Sequence, residues 1–283
     1  MTASTAVLPS VPDPRPGMCV ATLMLEDSRG GMQSLGGNGD DHELCAGDLH
    51  WGQADAGIMR AWPAARETAH QEAGHSEGVH SEGAHSEEAR LNGLRMVLDL
   101  SGFLADQVPE CIADSVSDPQ PEPSLPATPL LLRAWEMPVI QTDAGRIRVV
   151  AGSHAGRQSP LLTPAPIAIL DAWLRPGATQ LVPLAPGWNA WVYAVSGALG
   201  VRARHRRIGA PPLPRQAGGD PDFAVLEAGS ALIASALAGE DEGVLVLMAG
   251  KAPAHFVLMG HACSAGALVS RTRRRGGAKS LAA

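Results

Sequence analysis

Leu44-Cys-Ala-Gly47-Asp48-Leu-His50-Trp51-Gly-Gln-Ala-Asp-Ala-Gly57-Ile58-Met-Arg60-Ala-Trp62-Pro63 is the stretch on which the fold turns. Gly47-Asp48 is a turn signal: glycine accepts a positive φ at no steric cost, and aspartate bonds nearby backbone. Asp48 is therefore read as serving the turn and not acid–base chemistry. A strand starting at Leu49 puts His50 and Trp51 on opposite faces, because side chains alternate along an extended chain. His50 is read as a hydrogen-bonding core or rim residue in preference to a metal ligand. Far along the chain, Leu226-Glu-Ala-Gly229-Ser230 repeats the same pattern before another apolar run. That echo points to duplication of an all-β unit.

The bulk composition agrees. A chain of 283 residues, 45% apolar and 18% charged, has room for two domains with sizeable cores. Its 32 glycines and 23 prolines favour turns and short strands over long helices. A formal net charge of −7 argues against general nucleic-acid binding. The basic cluster Arg271-Thr-Arg273-Arg274-Arg275 reads as a solvated tail. Cys19, Cys45, Cys111 and Cys263 form no Cys-x-x-Cys pair and read as reduced thiols. No basic region followed by an apolar run opens the chain, and no apolar stretch reaches bilayer length. The expectation is a soluble, cytoplasmic protein. Gly-x-Gly-x-x-Gly and P-loop patterns are absent from the sequence, so nucleotide readings have no support.

The organisation can be read segment by segment. Residues 1–16 form an irregular arm. Met18–Leu25 is a short apolar run suited to a strand buried on both faces. Residues 64–90 contain His75-Ser-Glu77, His80-Ser-Glu82 and His85-Ser-Glu87 at a five-residue period, polar and without a core of their own, and read as a flexible insertion. A strand-like run resumes at Leu91–Leu100, closing a first unit at about residue 104. The prolines of 105–131 forbid a regular helix and suggest an extended linker. A second unit, 132–265, opens with strands Glu136–Gln141 and Arg146–Ala151 around a Thr142-Asp-Ala-Gly145 hairpin turn. It continues with strands at 165–173, 224–226, 231–234, 244–249 and 254–258. Trp188–Val195 alternates with large apolar groups on both faces, as a strand inside a barrel or sandwich would, and Trp188 and Trp191 read as core packing. Residues 266–283 read as a basic flexible tail.

Two sets of motifs carry a family resemblance. In the C-terminal half these are Val149-Val-Ala-Gly152, Arg157-Gln-Ser159-Pro160, Leu170-Asp171, Pro176-Gly177, Pro186-Gly-Trp188-Asn189-Ala190, Val192-Tyr193 and Ser196-Gly197. In the N-terminal half they are Leu25-Glu26, Gly47-Asp48, Trp51, Gly57-Ile58 and Leu91-Asn-Gly-Leu94. Their order and spacing resemble the pirin family over roughly residues 12 to 260. The resemblance implies an all-β bicupin: two jelly-roll-like cupin barrels packed side by side. Relatives tend to carry Gln at the place of His50.

The family's chemistry is implied as well. Its N-terminal cupin holds one iron-type divalent metal with three His and one Glu, an open-sided set suited to dioxygen chemistry. Carried onto this chain, the first two His fall on Asp13 and Arg15, the third on Arg60 and the Glu on Trp62. Arginine cannot lose its proton to become a ligand and adds positive charge where a cation should sit. A low-ranked alternative lets His80 and Glu82 of the repeat supply ligands. His154, His205, His255 and His261 are dispersed without ligand spacing. The expectation is a pirin-like bicupin with a degenerate metal site and a binding or regulatory role. Arg15 and Arg60 would favour a small anionic or aromatic ligand in the N-terminal cupin, or a protein partner. The rival reading is a metal-dependent enzyme like quercetin 2,3-dioxygenase.

Overall fold

The computed structural model describes residues 17–29, 31–35, 42–53, 58–62, 92–101, 130–205, 223–236, 243–262 and 279–282. Asp13, Arg15, the His-Ser-Glu insertion with His80 and Glu82, and the linker up to residue 129 lie outside them. The described residues are almost entirely strand and turn. They divide into two compact units, one reaching through Ala134 and the other beginning at Trp135.

The first unit is built from β1 (Met18–Met24), β2 (Gly31–Leu35), β3 (His42–Leu44), β4 (Leu49–Gln53), β5 (Ile58–Trp62), β6 (Gly93–Asp99) and β7 (Leu130–Leu132). One sheet has the order β6-β1-β4-β7, the other β3-β2-β5. Met24 from the first sheet packs against Met32 and Leu44 of the second, with Leu131 beside them. That cluster identifies the faces the two sheets turn toward each other. β1 is buried along both faces, as its unbroken apolar run predicts. Leu130 and Leu131, expected at the end of an extended linker, pair instead with Trp51 and His50 as part of β7.

Asp48 explains why the chain returns here. Its carboxylate accepts the Cys45 N–H at 3.0 Å, closing the turn, and the Ala134 N–H at 2.9 Å. It also takes the Arg133 guanidinium at 2.7 Å, with the Asp48 side chain only 1% exposed. A turn residue thus fastens the strand that precedes the second unit.

The second unit comprises β8 (Val139–Thr142), β9 (Gly145–Ala151), the two-residue pair β10 (Ser153–His154) and β11 (Arg157–Gln158), β12 (Ile167–Leu174), β13 (Thr179–Leu184), β14 (Trp188–Ser196), β15 (Leu199–His205), β16 (Phe223–Leu226), β17 (Ala231–Ser235), β18 (Gly243–Ala249), β19 (Ala254–Ala262) and β20 (Lys279–Ala282). A seven-stranded sheet, β20-β17-β14-β19-β12-β9-β8, faces a four-stranded one, β13-β18-β15-β16. Between them lies a wholly apolar core including Val149, Leu170, Val192, Leu232, Leu247 and Phe256. Each such buried side chain contributes about 1.5–3 kcal/mol relative to exposure.

The structure adjusts some expectations. Residues 134–136 form a 3₁₀ turn, and the expected strand begins only at Val139. Along β14 the fully buried positions are the small Ala190, Val192 and Ala194. Trp188 packs against the core, while Trp191 stacks on Tyr193 at 5.5 Å on the other, half-buried face. Residues 279–282, expected in a flexible tail, run parallel beside β17.

The sequence echo is an echo of hydrogen bonds. In the first unit, the Gly47 N–H donates to the Met24 carbonyl and the Met24 N–H to the Asp48 carbonyl. In the second, the Gly229 N–H donates to the Ala194 carbonyl and the Ala194 N–H to the Ser230 carbonyl. Both glycines take positive φ, 87° and 82°. β1 lies between β6 and β4 just as β14 lies between β19 and β17. Strands β6, β1 and β4 of the first unit therefore correspond to β19, β14 and β17 of the second, which places the candidate site.

Candidate functional site

The site emerges from one row of the first unit. Strand pairing sets Leu131 opposite His50, His50 opposite Thr22, and Thr22 opposite Arg95, across β7, β4, β1 and β6. Directly opposed residues on neighbouring strands share a face. Leu131 packs into the Met24–Met32–Leu44 cluster, so this face looks toward the second sheet. The equivalent row in the second unit is Leu232, Val192 and Leu258. All three of those side chains belong to the apolar core. The first unit has placed histidine, threonine and arginine where its sister packs leucine, valine and leucine.

Thr22 and His50 are in a low-dielectric setting, whereas Arg95 is only partly buried. Thr22 is 2% exposed and His50 6%. Among the described residues the Nε2 of His50 has no hydrogen-bond partner. Burial first, then the neighbouring His42 and Arg95, push the His50 pKa down to about 4, so the imidazole is neutral at pH 7. Burial also lowers the basicity of Arg95. Thr22 and Arg95 each take part in further interactions. His42, from β3 in the facing sheet, brings its ring centroid to 6.1 Å from that of His50.

Arg60 and Trp62 fall on β5, where the backbone register pairs Arg60 with Gln33 and Trp62 with Gly31. Gln33 is in turn opposite the exposed Glu43, whereas Met32, opposite Ala61, is in the core row. Arg95 is a positively charged residue in line with His50 and Thr22, and sequence reading passed over it. Its signal was present: a lone arginine within the apolar run Leu94-Arg95-Met96-Val97-Leu98.

The second unit has a buried polar cluster of its own, on the face opposite its apolar core. Asp171 on β12 accepts Arg148 of β9 at 2.6 Å through one oxygen and meets His255 Nε2 at 2.6 Å through the other. The three side chains are 1% exposed. Burial opposes ionisation of Asp171, but the His255 hydrogen bond and the Arg148 charge outweigh it and hold the carboxyl below its ordinary range. Trp173 stacks on His255 with centroids 3.8 Å apart. His255, read from sequence as one of several dispersed histidines, is thus part of a triad. The clue was an aspartate in the middle of the apolar β12, Ile-Ala-Ile-Leu-Asp171-Ala-Trp-Leu.

With the geometry established, comparison with known proteins is direct. No family model matches the chain. The chain is 26% identical to human Pirin over 160 residues, which cover 56% of this chain and 41% of that protein. It is 32% identical to a Pirin-like protein of Arabidopsis thaliana over 114 residues, covering 39% and 34%. Among solved structures, GK1651 from Geobacillus kaustophilus superposes with a TM-score of 0.56 at 17% identity, covering 90% of this chain and 78% of that one. Quercetin 2,3-dioxygenase from Acinetobacter baumannii gives 0.56 at 15%, covering 92% and 69%. In sequence the chain is similar to pirin and pirin-like proteins. These matches span less than half of the curated relatives' length, so whole-protein activities are not thereby transferred. No described helix of this pirin-like chain is long and apolar enough to cross a membrane.

A fit test for the family's metal follows from the side chains present. His50 and His42 are the nitrogen donors of the interior row, and a guanidinium stands beside them. A cation would meet Arg95 as repulsion, and neither an arginine nor a tryptophan such as Arg60 and Trp62 can serve as a ligand. Among the described residues no group of three or more His, Cys, Asp or Glu is placed to hold a metal ion.

Proposed function

We propose that this pirin-like cupin is a binding or regulatory protein whose N-terminal metal site is degenerate, and which takes a small anionic or aromatic ligand into its first unit. One observation carries the reading: Thr22, His50 and Arg95 replace Val192, Leu232 and Leu258 of the duplicated unit. Thr22 and His50 are buried and Arg95 partly so, and a polar row where the sister unit packs an apolar one argues for use. The replacement of family ligands by Arg15, Arg60 and Trp62 supports the same view. Quercetin-cleaving dioxygenase chemistry, named for one structural neighbour, is the alternative.

Metal analysis separates the two. Protein purified without a His tag should contain well below one iron, nickel, copper, manganese or zinc per chain, and should consume no oxygen with quercetin. The same measurement on a variant lacking residues 70–88 removes the His-Ser-Glu repeat as a source of adventitious metal. Near-stoichiometric metal retained in that variant, with oxygen uptake, would establish the dioxygenase reading instead.

A further inference from the structure

We infer that the second unit's four-stranded sheet docks an acidic amphipathic helix of a partner protein on the face turned away from its core. The surface belongs to the second unit, so the inference stands independently of the ligand proposed for the first. An antiparallel sheet with one face in the core ordinarily carries polar residues on the other. Here β13, β18, β15 and β16 break that alternation. Val182, Leu247, Val201 and Leu226 point into the core. The intervening positions form rows on the opposite face, and one row runs Leu181, Val246, Arg202, Phe223. In the next row Met248 and Val225 flank Gly200. Leu181 is 55% exposed, Val225 51% and Phe223 38%. Large apolar groups exposed from one edge strand to the other mark an interaction surface. Glycine keeps the middle of that surface flat. A Cβ at Gly200 would sit 3.1 Å from Phe223 Cε2 and 3.5 Å from Met248 Cε. Its absence lets the Phe223 ring lie against β15, with Arg202 Cζ 5.5 Å from the ring centroid.

Size and charge select the occupant. Neighbouring strands lie about 4.8 Å apart, so the face spans about 14 Å from β13 to β16 and roughly 17 Å along β13. A helix of about three to four turns covers that area, whereas a standard dimer buries roughly 800 Å² on each partner, more than this face offers. Laying a helix on an apolar sheet face is also how layered domains bury such a face. The charged residues at the described positions of this face are Arg202 and Arg204, with no carboxylate among them. Arg202 has interactions of its own, whereas Arg204, opposite Val244, is exposed at the rim. A second copy of the chain would bring arginine and no counter-charge to the contact. An anionic bilayer is a plane that meets the chain's net charge of −7 as a whole, while a helix senses charges within about 10 Å of where it lies. An apolar stripe against Leu181, Val246 and Phe223, with a carboxylate beside Arg204, satisfies both parts of the surface.

The test is fluorescence anisotropy of a labelled peptide of about 15 residues, with leucines at helical i, i+3, i+4, i+7 spacing among alanine and glutamate, titrated with the full chain at pH 7. The controls are the same peptide with lysine for glutamate and a scrambled peptide of identical composition. The glutamate peptide should bind one per chain, roughly tenfold or more tighter than either control, and more weakly as salt rises. Leu181→Asp and Val225→Asp, at opposite edges of the face, should each weaken it by roughly tenfold or more, since each sets a charge against the apolar stripe. Arg204→Glu should lose a similar factor and Arg204→Lys only part of it. The replaced side chains are exposed, so the variants should keep the fold, which thermal melts check. No binding of the glutamate peptide, equal binding of the lysine or scrambled peptide, or unchanged binding in Leu181→Asp would each overturn the inference. A dimer in sedimentation velocity that Leu181→Asp dissolves would assign the face to a second copy instead. Flotation with phosphatidylglycerol vesicles that the same variant abolishes would assign it to a membrane, and either result also overturns the inference. None of these outcomes bears on ligand binding by the first unit.

Discussion

Keeping His50 neutral inside the first unit has a measurable consequence for stability. Its pKa falls from 6.5 to about 4 on folding. The folded value lies below the unfolded one, so the unfolded chain takes up the proton first as the pH drops. The stabilisation is complete above pH 6.5 and is lost progressively down to about pH 4. A depression of about 2.5 units, at 1.36 kcal/mol each, amounts to about 3 kcal/mol over the whole window, of which about 2 kcal/mol is gone by pH 5. His50→Gln removes the titration while preserving an uncharged hydrogen-bonding side chain. Urea unfolding of both proteins between pH 7.5 and 4.5, followed by tryptophan fluorescence, should show the native protein losing about 2 kcal/mol more than the variant by pH 5. NMR titration of the His50 ring gives an independent reading near pH 4. If the two stability curves run parallel, or the ring titrates near 6.5, His50 is not buried beside Arg95 and the interior row is wrongly built.

Four further outcomes follow from other parts of the molecule. Asp48→Ala strands a partly buried guanidinium and two backbone N–H groups, and should cost about 2–4 kcal/mol in denaturant unfolding, with Asp48→Asn recovering part of it. Asp171→Ala leaves Arg148 buried without its counter-charge and should cost about 3–5 kcal/mol, whereas replacing the whole triad with apolar residues of similar volume should cost far less. Gly152→Ala sets a methyl group 2.2 Å from the Ile167 carbonyl oxygen at φ +72°, while Gly229→Ala meets nothing within 4 Å at φ +82°. Only the second variant should be confined to the ~1 kcal/mol of an alanine in the left-handed region, read as a difference in Tm. Cys19, whose thiol burial pushes up to about 11, should resist alkylation at pH 8 in native protein, while the exposed Cys45 reacts, as counted by mass spectrometry.

The sequence by itself determined the architecture. Strands along Met18–Met24, Leu49–Trp51, Arg146–Ala151 and Trp188–Val195 were legible because apolar runs punctuated by glycine and proline have few other solutions. The duplication was legible in two five-residue turn motifs, because a left-handed glycine followed by a turn-closing residue leaves a recognisable local signature. Short strands such as β2, β3 and β7 were not legible, because three to five residues in ordinary contexts carry too little periodicity. The site was decided only in three dimensions. Thr22, His50 and Arg95 are separated by tens of residues, and nothing local says they share a row. Antiparallel register aligns them, and comparison with the sister row of Val192, Leu232 and Leu258 reveals them as an exception. The same holds for Arg148, Asp171 and His255, each an isolated polar residue in an apolar strand until β9, β12 and β19 are laid side by side. Local propensity is written in neighbouring residues, whereas the environment that gives a buried charge its partner is set by strand order, and strand order belongs to the whole chain.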